Sequence, residues 1–172
     1  MADGWEEIAR LLDSIPEETC GGNQPEFLYR LSRETTGAGD VVEIGSNVGK
    51  TTIALSFAQK EKGGNPIHAV DIYQHKDIVK NLERAGVASY ANRTISCSSS
   101  AGRTWDKPIQ LVWIDGDHCS VGAAMDLKAW MNHVIPGGHI ALHDYPGHMG
   151  SMQIWKAVKR LLLSAVRMAP GE

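Results

Sequence analysis

The stretch Asp40–Lys60, DVVEIGSNVGKTTIALSFAQK, decides the fold because it joins a strand pattern to a helix pattern through a glycine loop. Val41, Val42 and Ile44 form a short apolar run, which is typical of a strand in a parallel sheet that is covered on both faces. Residues 51–60 suit a helix, because neither proline nor glycine interrupts them. A strand, a glycine loop and a helix in this order predict the opening unit of an α/β protein.

The glycine loop lacks both common phosphate-binding spacings. A P-loop has four residues between its first glycine and the sequence Gly-Lys-[Ser/Thr], whereas Gly45 and Gly49 enclose three residues here. The dinucleotide fingerprint G-x-G-x-x-G requires a glycine at the position of Asn47. A P-loop NTPase and an NAD-dependent oxidoreductase would each have to tolerate the wrong spacing, so we keep them only as alternatives.

The alternation of strand and helix continues along the chain. Further strands are predicted at residues 67–70, 94–97, 111–114 and 139–142, and helices at residues 75–85, 121–134 and 151–166. We therefore predict an α/β fold, a doubly wound Rossmann-like parallel sheet of about five strands with helices on both faces. The chain is expected to form a single domain over 1–172, with N-terminal helices in 1–36 and the Rossmann-like core in 40–166.

The composition indicates an ordinary soluble protein. Of 172 residues, 42% are hydrophobic and 22% charged, and the net charge is -3. This charge offers no basic field for nucleic acid, and no apolar run has the length of a membrane span. The three cysteines are far apart, and the N-terminal stretch carries acids where a secretion signal would carry bases. These features predict a cytoplasmic protein without nucleic-acid or membrane partners.

Acidic residues beside the loop favour a nucleoside without phosphates. Glu43 would repel a pyrophosphate, but it suits a cationic group such as an ammonium or a sulfonium. Asp71 ends the second predicted strand, where a carboxylate can accept hydrogen bonds from both ribose hydroxyls. Gly45 lets the chain turn out of the strand, and Gly49 allows close approach to a ligand or to the sheet. A structural role for Glu43, capping nearby N–H groups, is the alternative.

Three segments carry a resemblance to a known family: EIGSNVGKTT (43–52), AVDIY (69–73) and WIDGDHCSVGAAMDLKAWMNHVIPGGHIALHDY (113–145). Together they resemble class I S-adenosylmethionine-dependent methyltransferases, and within these the metal-dependent O-methyltransferase branch that includes the macrolide-sugar enzymes. The resemblance covers about residues 21–159. It implies S-adenosylmethionine as the cofactor and a small hydroxylated molecule as the methyl acceptor.

The resemblance also assigns parts of the cofactor to positions in this chain. Glu43, Gly45 and Ser46 would hold its methionine portion, Asp71 its ribose, and the loop at residues 97–99 would lie along its adenine. The full set of predicted cofactor-binding residues is Glu43, Gly45, Ser46, Asn47, Gly49, Asp71, Ile72, Ser98, Ser99 and Asp115.

Acids and histidines after the fourth and fifth predicted strands suggest a metal site. Asp115 and Asp144 end neighbouring strands, so their carboxylates can converge, and a divalent cation such as Mg or Mn would relieve their repulsion. His143 could be a further ligand for Mn, Fe or Zn, a second base, or a hydrogen-bonding residue of the loop. His118 is the candidate general base, with a structural role bridging two loops as the alternative, and Asp115 is the catalytic residue beside it. Related enzymes use such a metal to bind the hydroxyl of the substrate.

The end of the chain departs from the family pattern. Class I methyltransferases usually finish with an antiparallel pair of strands, and the residues after 166 cannot supply one. If the fold stops at five strands, the fifth strand has an exposed edge that invites pairing with another chain. We therefore predict a homodimer, through this edge or through the amphipathic last helix. The short end also keeps a nucleoside-binding module without turnover as an alternative to an enzyme.

Overall fold

The computed structural model describes residues 4–16, 23–36 and 38–143. The predicted last helix and Asp144 lie outside the described residues. The same holds for the segment where an antiparallel strand pair would be expected. No helix within the described ranges is long and apolar enough to cross a membrane.

Five strands form one parallel sheet in the order β3-β2-β1-β4-β5. The strands are β1 (Asp40–Ile44), β2 (Ile67–Asp71), β3 (Ala91–Ile95), β4 (Ile109–Ile114) and β5 (Val134–Leu142). The predicted fold class is thereby confirmed. Chain order reverses between β1 and β4, and ligands of open α/β sheets bind at such a switch point, beyond the carboxyl ends of the strands. In the observed register Ile44, the last residue of β1, lies between Val70 and Ile114.

Six α-helices accompany the sheet in the described residues. They are α1 (Trp5–Asp13), α2 (Gln24–Glu34), α3 (Lys50–Glu61), α4 (Ile78–Arg84), α5 (Ser98–Arg103) and α6 (Ser120–Trp130). Two short 3₁₀ turns, Ala88–Tyr90 and Met131–His133, precede β3 and β5.

Alternate residues of β1 place the helices on opposite faces of the sheet. Val41 packs in one buried cluster with Leu55 of α3, whereas Val42 packs in another with Leu127 and Trp130 of α6. All five side chains are at most 6% exposed. Because side chains of a strand alternate between faces, this apolar run must be covered twice, as the sequence predicted.

Several elements differ from the prediction, among them α5, β3 and β5. α5 was predicted as a loop, since the serine-rich sequence SSSAGR has weak helix propensity. β3 begins at Ala91 rather than Thr94, and its mostly exposed residues give no apolar alternation. β5 begins at Val134, although Pro136 suggested the end of a helix there. The pairing with β4 jumps from Val134 to His139, so the proline and its neighbours bulge out of the ladder.

Within the described sheet β5 pairs on one side only, with β4. The predicted homodimer through this edge stays a prediction.

Candidate active site

A cavity of about 510 Å³ opens at the carboxyl ends of the central strands. This volume is typical of a site for a small molecule or cofactor. The lining includes predicted site residues that lie at or just after the carboxyl ends of β1, β2, β3 and β4. Those residues are Gly45, Ser46, Asn47, Asp71, Ile72, Ser98, Ser99, Asp115 and His118. The structure therefore brings together most of the predicted site, and the cofactor contacts assigned to these residues stay predictions.

The glycine loop between β1 and α3 is a compact turn held from both sides. Gly45, with φ +85°, donates its N–H to Val70 of β2 at 2.9 Å. A Cβ at this position would lie 2.1 Å from the carbonyl oxygen of Asp115 in the loop after β4. Gly49, with φ +91°, directly precedes α3. The loop therefore turns where only a residue without a side chain fits, between the ends of β2 and β4.

Asp71, the last residue of β2, anchors the glycine loop. Its Oδ2 accepts hydrogen bonds from the backbone N–H of Ser46 at 2.8 Å and of Asn47 at 3.1 Å. Its Oδ1 accepts a hydrogen bond from the backbone N–H of Tyr73 at 3.2 Å. The carboxylate lines the cavity, so the group predicted to bind a ribose also fixes the shape of the loop beside it.

Glu43 lies beneath the cavity rather than in its lining. Its side chain is fully buried and accepts hydrogen bonds from the hydroxyls of Thr51 and Thr52 at 2.5 and 2.6 Å. Burial raises the pKa of Glu43 to about 8, although the two hydroxyls oppose this rise; the negative charges of Asp115 and Asp71 add to it. This geometry resembles the alternative in which Glu43 has a structural role. The donors to its carboxyl group are the side-chain hydroxyls of Thr51 and Thr52, however, and not the N–H groups that were expected. Direct contact between Glu43 and a cofactor stays a prediction.

The raised pKa of Glu43 predicts that stability declines in mild alkali. Folded Glu43 keeps its proton up to about pH 8, whereas the unfolded chain releases it near pH 4.5. The folded state binds more protons between these values, so the free energy of unfolding falls as pH rises through them. Between pH 7 and 9 the loss is about 1 kcal/mol, and Glu43→Gln should remove it. Urea unfolding at both pH values measures the difference, with the exposed Glu83→Gln as control. Equal pH slopes in Glu43→Gln and the unmodified protein would contradict the assignment.

Three potential metal ligands meet at the ends of β4 and β5. His143 Nδ1 lies 2.8 Å and His118 Nε2 lies 3.7 Å from Oδ1 of Asp115. Asp115 and His143 are each 11% exposed at the side chain, whereas His118 is 52% exposed. The sequence predicted that Asp115 and Asp144 would converge, with His143 as a further candidate ligand, and the structure brings His143 and His118 to Asp115. Asp144, the other predicted ligand, lies outside the described residues.

Asp117 shapes the loop that carries His118. Its Oδ1 accepts a hydrogen bond from the backbone N–H of Cys119 at 2.9 Å, and this bond lowers the pKa of Asp117. The Sγ of Cys119 in turn accepts from the N–H of Gly122 at 3.3 Å. These contacts place Asp117 and Cys119 at the start of α6, as capping residues.

Asp126 of α6 is a cavity residue that the sequence reasoning missed. It is 6% exposed and lines the cavity beside Ser98. Burial raises the pKa of Asp126, and a hydrogen bond with Ser98 opposes that rise. Ser98 also accepts a hydrogen bond from Trp130 Nε1 at 3.0 Å. The available signal was helical periodicity, since Asp126 shares the buried stripe of Ala123, Leu127 and Trp130.

Comparison with known proteins identifies the family to which the chain belongs. A family model described as a methyltransferase domain matches residues 42–145. The chain belongs to this methyltransferase family. The match includes the glycine loop, Asp71, Asp115 and His143, which are the residues that the fold gathers at one end of the sheet. The predicted resemblance to class I methyltransferases is thereby confirmed.

Solved structures share the fold of this methyltransferase domain at low sequence identity. Cofactor-bound Rv0187 from MTB is 20% identical with a TM-score of 0.69, over 98% of this chain and 79% of that one. The O-methyltransferase from Bacillus cereus in complex with SAH is 17% identical with a TM-score of 0.65, over 95% and 80%. The O-methyltransferase TomG from Streptomyces achromogenes, involved in tomaymycin synthesis and in complex with SAM, is 18% identical with a TM-score of 0.65, over 94% and 78%.

Proposed function

We propose that this methyltransferase domain transfers the methyl group of S-adenosylmethionine to the hydroxyl of a small molecule, with the assistance of a divalent metal. One observation carries the proposal: a single cavity is lined on one side by Asp71 and the glycine loop, and on the other by Asp115 and His118. A nucleoside site and a candidate metal site thus share one space. The structural neighbours crystallised with SAH and SAM support the choice of cofactor.

Asp71 would hold the ribose of the cofactor, and the glycine loop beside it would hold the methionine portion. Oδ2 of Asp71 accepts hydrogen bonds from the N–H groups of Ser46 and Asn47 and from the Ser46 hydroxyl, whereas Oδ1 accepts one from the N–H of Tyr73. Each carboxylate oxygen has about two acceptor sites, so Oδ1 keeps one for a further donor. It can therefore receive a ribose hydroxyl while it continues to hold the loop. The cavity wall at Ile72 and Tyr73 is apolar and more than half exposed, which suits a flat base lying against it.

The reacting half lies beside Asp115. The acceptor oxygen attacks the sulfonium methyl carbon, a C–O bond forms, and the C–S bond breaks to leave a neutral thioether. The hydroxyl proton must leave the oxygen during this step. A divalent cation bound by Asp115 and His143 would lower the pKa of that hydroxyl. The protein then has to align oxygen, methyl carbon and sulfur, which is chiefly a matter of positioning.

Calorimetry and a turnover assay test the proposal together. We expect saturable binding of S-adenosylmethionine and of S-adenosylhomocysteine, with NAD and ATP binding much more weakly. We also expect formation of S-adenosylhomocysteine with a panel of sugars, catechols and polyketides, abolished by a chelator and restored by added metal. Tighter binding of NAD or ATP would overturn the methyltransferase assignment. Cofactor binding without turnover on any acceptor would favour the nucleoside-binding module.

Asp115→Asn separates the two halves of the site. The substitution keeps the shape of the side chain and removes its charge, so turnover should fall by at least about a hundredfold. Affinity for S-adenosylmethionine, measured by calorimetry, should change little. Asp106→Asn is the control, because Asp106 is exposed and precedes β4 at the opposite end of that strand. If Asp115→Asn lost cofactor binding as well, Asp115 would belong to the nucleoside pocket instead.

A further inference from the structure

Three side chains from two loops point their donor atoms at a common position. One donor atom each from Asp115, His118 and His143 lies within 4.8 Å of the other two. The two imidazole rings approach to 5.4 Å between centroids and stand at 77° to each other. The rings are therefore not stacked, and each can turn a nitrogen towards the carboxylate.

The two separations from Asp115 are close to those that one metal ion requires. Metal–nitrogen and metal–oxygen bonds of about 2.1 Å place tetrahedral ligands about 3.4 Å apart. The distances from Asp115 Oδ1 to His143 Nδ1 and to His118 Nε2, 2.8 and 3.7 Å, lie on either side of this value. A small movement of His118 is sufficient to complete the set, and its half-exposed side chain leaves room for it.

The two buried ligands are held by the sheet itself. The backbone N–H of Asp115 donates to Ile44 of β1 at 2.8 Å, and that of His143 donates to Ile114 of β4 at 3.0 Å. The ring of Trp113 packs edge-on against the ring of His143 at 5.9 Å between centroids. Two ligands are therefore fixed before an ion arrives, and the third is adjustable.

We propose that Asp115, His118 and His143 together bind one divalent transition metal ion, such as Zn²⁺, Fe²⁺, Mn²⁺ or Co²⁺, in preference to Mg²⁺. Two imidazole nitrogens and one carboxylate oxygen suit these ions, whereas Mg²⁺ prefers a shell of oxygens and water. This inference rests on the proposed function, because three protein ligands leave positions open towards the cavity for an acceptor oxygen. His118 is then a ligand rather than a general base, and the proton of the acceptor passes to water.

Cobalt is a probe that reports on ligands without any turnover. Protein freed of metal by a chelator is titrated with Co²⁺, and visible absorption follows binding. We expect one site, displaced by stoichiometric Zn²⁺ and retained in millimolar Mg²⁺. His118→Ala should weaken the Co²⁺ affinity by at least about tenfold and change the absorption bands. His139→Ala is the matched control, since His139 is exposed on β5, the strand that His143 directly follows, and should behave as the unmodified protein.

Two results would overturn the inference. The first is equal Co²⁺ affinity in His118→Ala and His139→Ala, which would leave His118 outside the coordination shell. The second is a site without preference for a transition metal, shown when Mg²⁺ displaces Co²⁺ as readily as Zn²⁺ does or when Co²⁺ does not bind at all. In the latter case the 2.8 Å contact between His143 and Asp115 would be a plain histidine–aspartate pair. Neither titration contains S-adenosylmethionine or an acceptor. Failure here is therefore distinct from failure of cofactor binding or methyl transfer, which are measured separately.

Discussion

Gly45→Ala is expected to cost about 3 kcal/mol or more of the free energy of unfolding, the largest single-residue effect on stability that we predict. A left-handed backbone costs an alanine about 1–2 kcal/mol, and Gly45 has φ +85°. The added methyl would also lie 2.1 Å from the carbonyl oxygen and 2.8 Å from the carbonyl carbon of Asp115. Both are backbone atoms that cannot rotate away, so the ends of β1 and β4 must separate, at a cost typical of overpacking.

Gly63→Ala is the matched control for this prediction. Gly63 has a positive φ of +68°, and a Cβ there would meet nothing within 4 Å. Its substitution should cost only the backbone term of about 1–2 kcal/mol. Urea unfolding of both variants isolates the contribution of the close contact with Asp115. A loss at Gly45 no greater than that at Gly63 would mean that the two strand ends separate easily.

Asp71→Ala is expected to weaken S-adenosylmethionine binding by about a hundredfold or more. Two backbone N–H groups of the glycine loop lose a charged acceptor, at about 1.5 kcal/mol each, and the loop must be reordered when the cofactor binds. A sum near 3 kcal/mol corresponds to a factor above a hundred in affinity. The lost contact with the ribose adds to this sum. Calorimetry measures the affinity directly.

Two further variants sharpen the interpretation of Asp71. Asp71→Asn keeps one carbonyl acceptor, so it should bind the cofactor better than Asp71→Ala but worse than the unmodified protein. Asp77→Ala removes a half-exposed carboxylate at the start of α4 and should leave affinity unchanged. Full affinity in Asp71→Ala would show that the loop forms without this anchor and that the ribose is bound elsewhere.

Sequence alone predicted the framework well, because apolar runs and glycine positions report directly on a buried parallel sheet. The run at Val41, Val42 and Ile44 gave β1, and the alternation of strands and helices gave the doubly wound parallel sheet. That residues after the fourth and fifth strands would meet was also accessible, since the carboxyl ends of parallel strands lie at one edge; His143 was one of the candidate ligands there, whereas Asp144 lies outside the described residues. These predictions depend on topology, which periodicity encodes.

The burial of individual side chains and their local contacts were harder to predict from the sequence. The sequence placed Glu43 beside the loop, but only the packing of Thr51 and Thr52 shows that its carboxyl is sealed beneath the cavity. Asp126 was overlooked because an acid on a helix is usually solvated, and its burial depends on contacts with Ser98 from a distant segment. α5 was missed for a similar reason, since its helix forms against Ala129 and Trp130 of α6 rather than from its own propensity.

The anchoring of Ser46 and Asn47 by Asp71 has a consequence for the rate at which the cofactor enters. A binding surface that is preorganised in the free protein needs no slow closure step after encounter. Association should then follow a single exponential whose rate constant rises linearly with ligand concentration. Selectivity among nucleosides would accordingly come from differences in their dissociation rate constants rather than in their association rate constants.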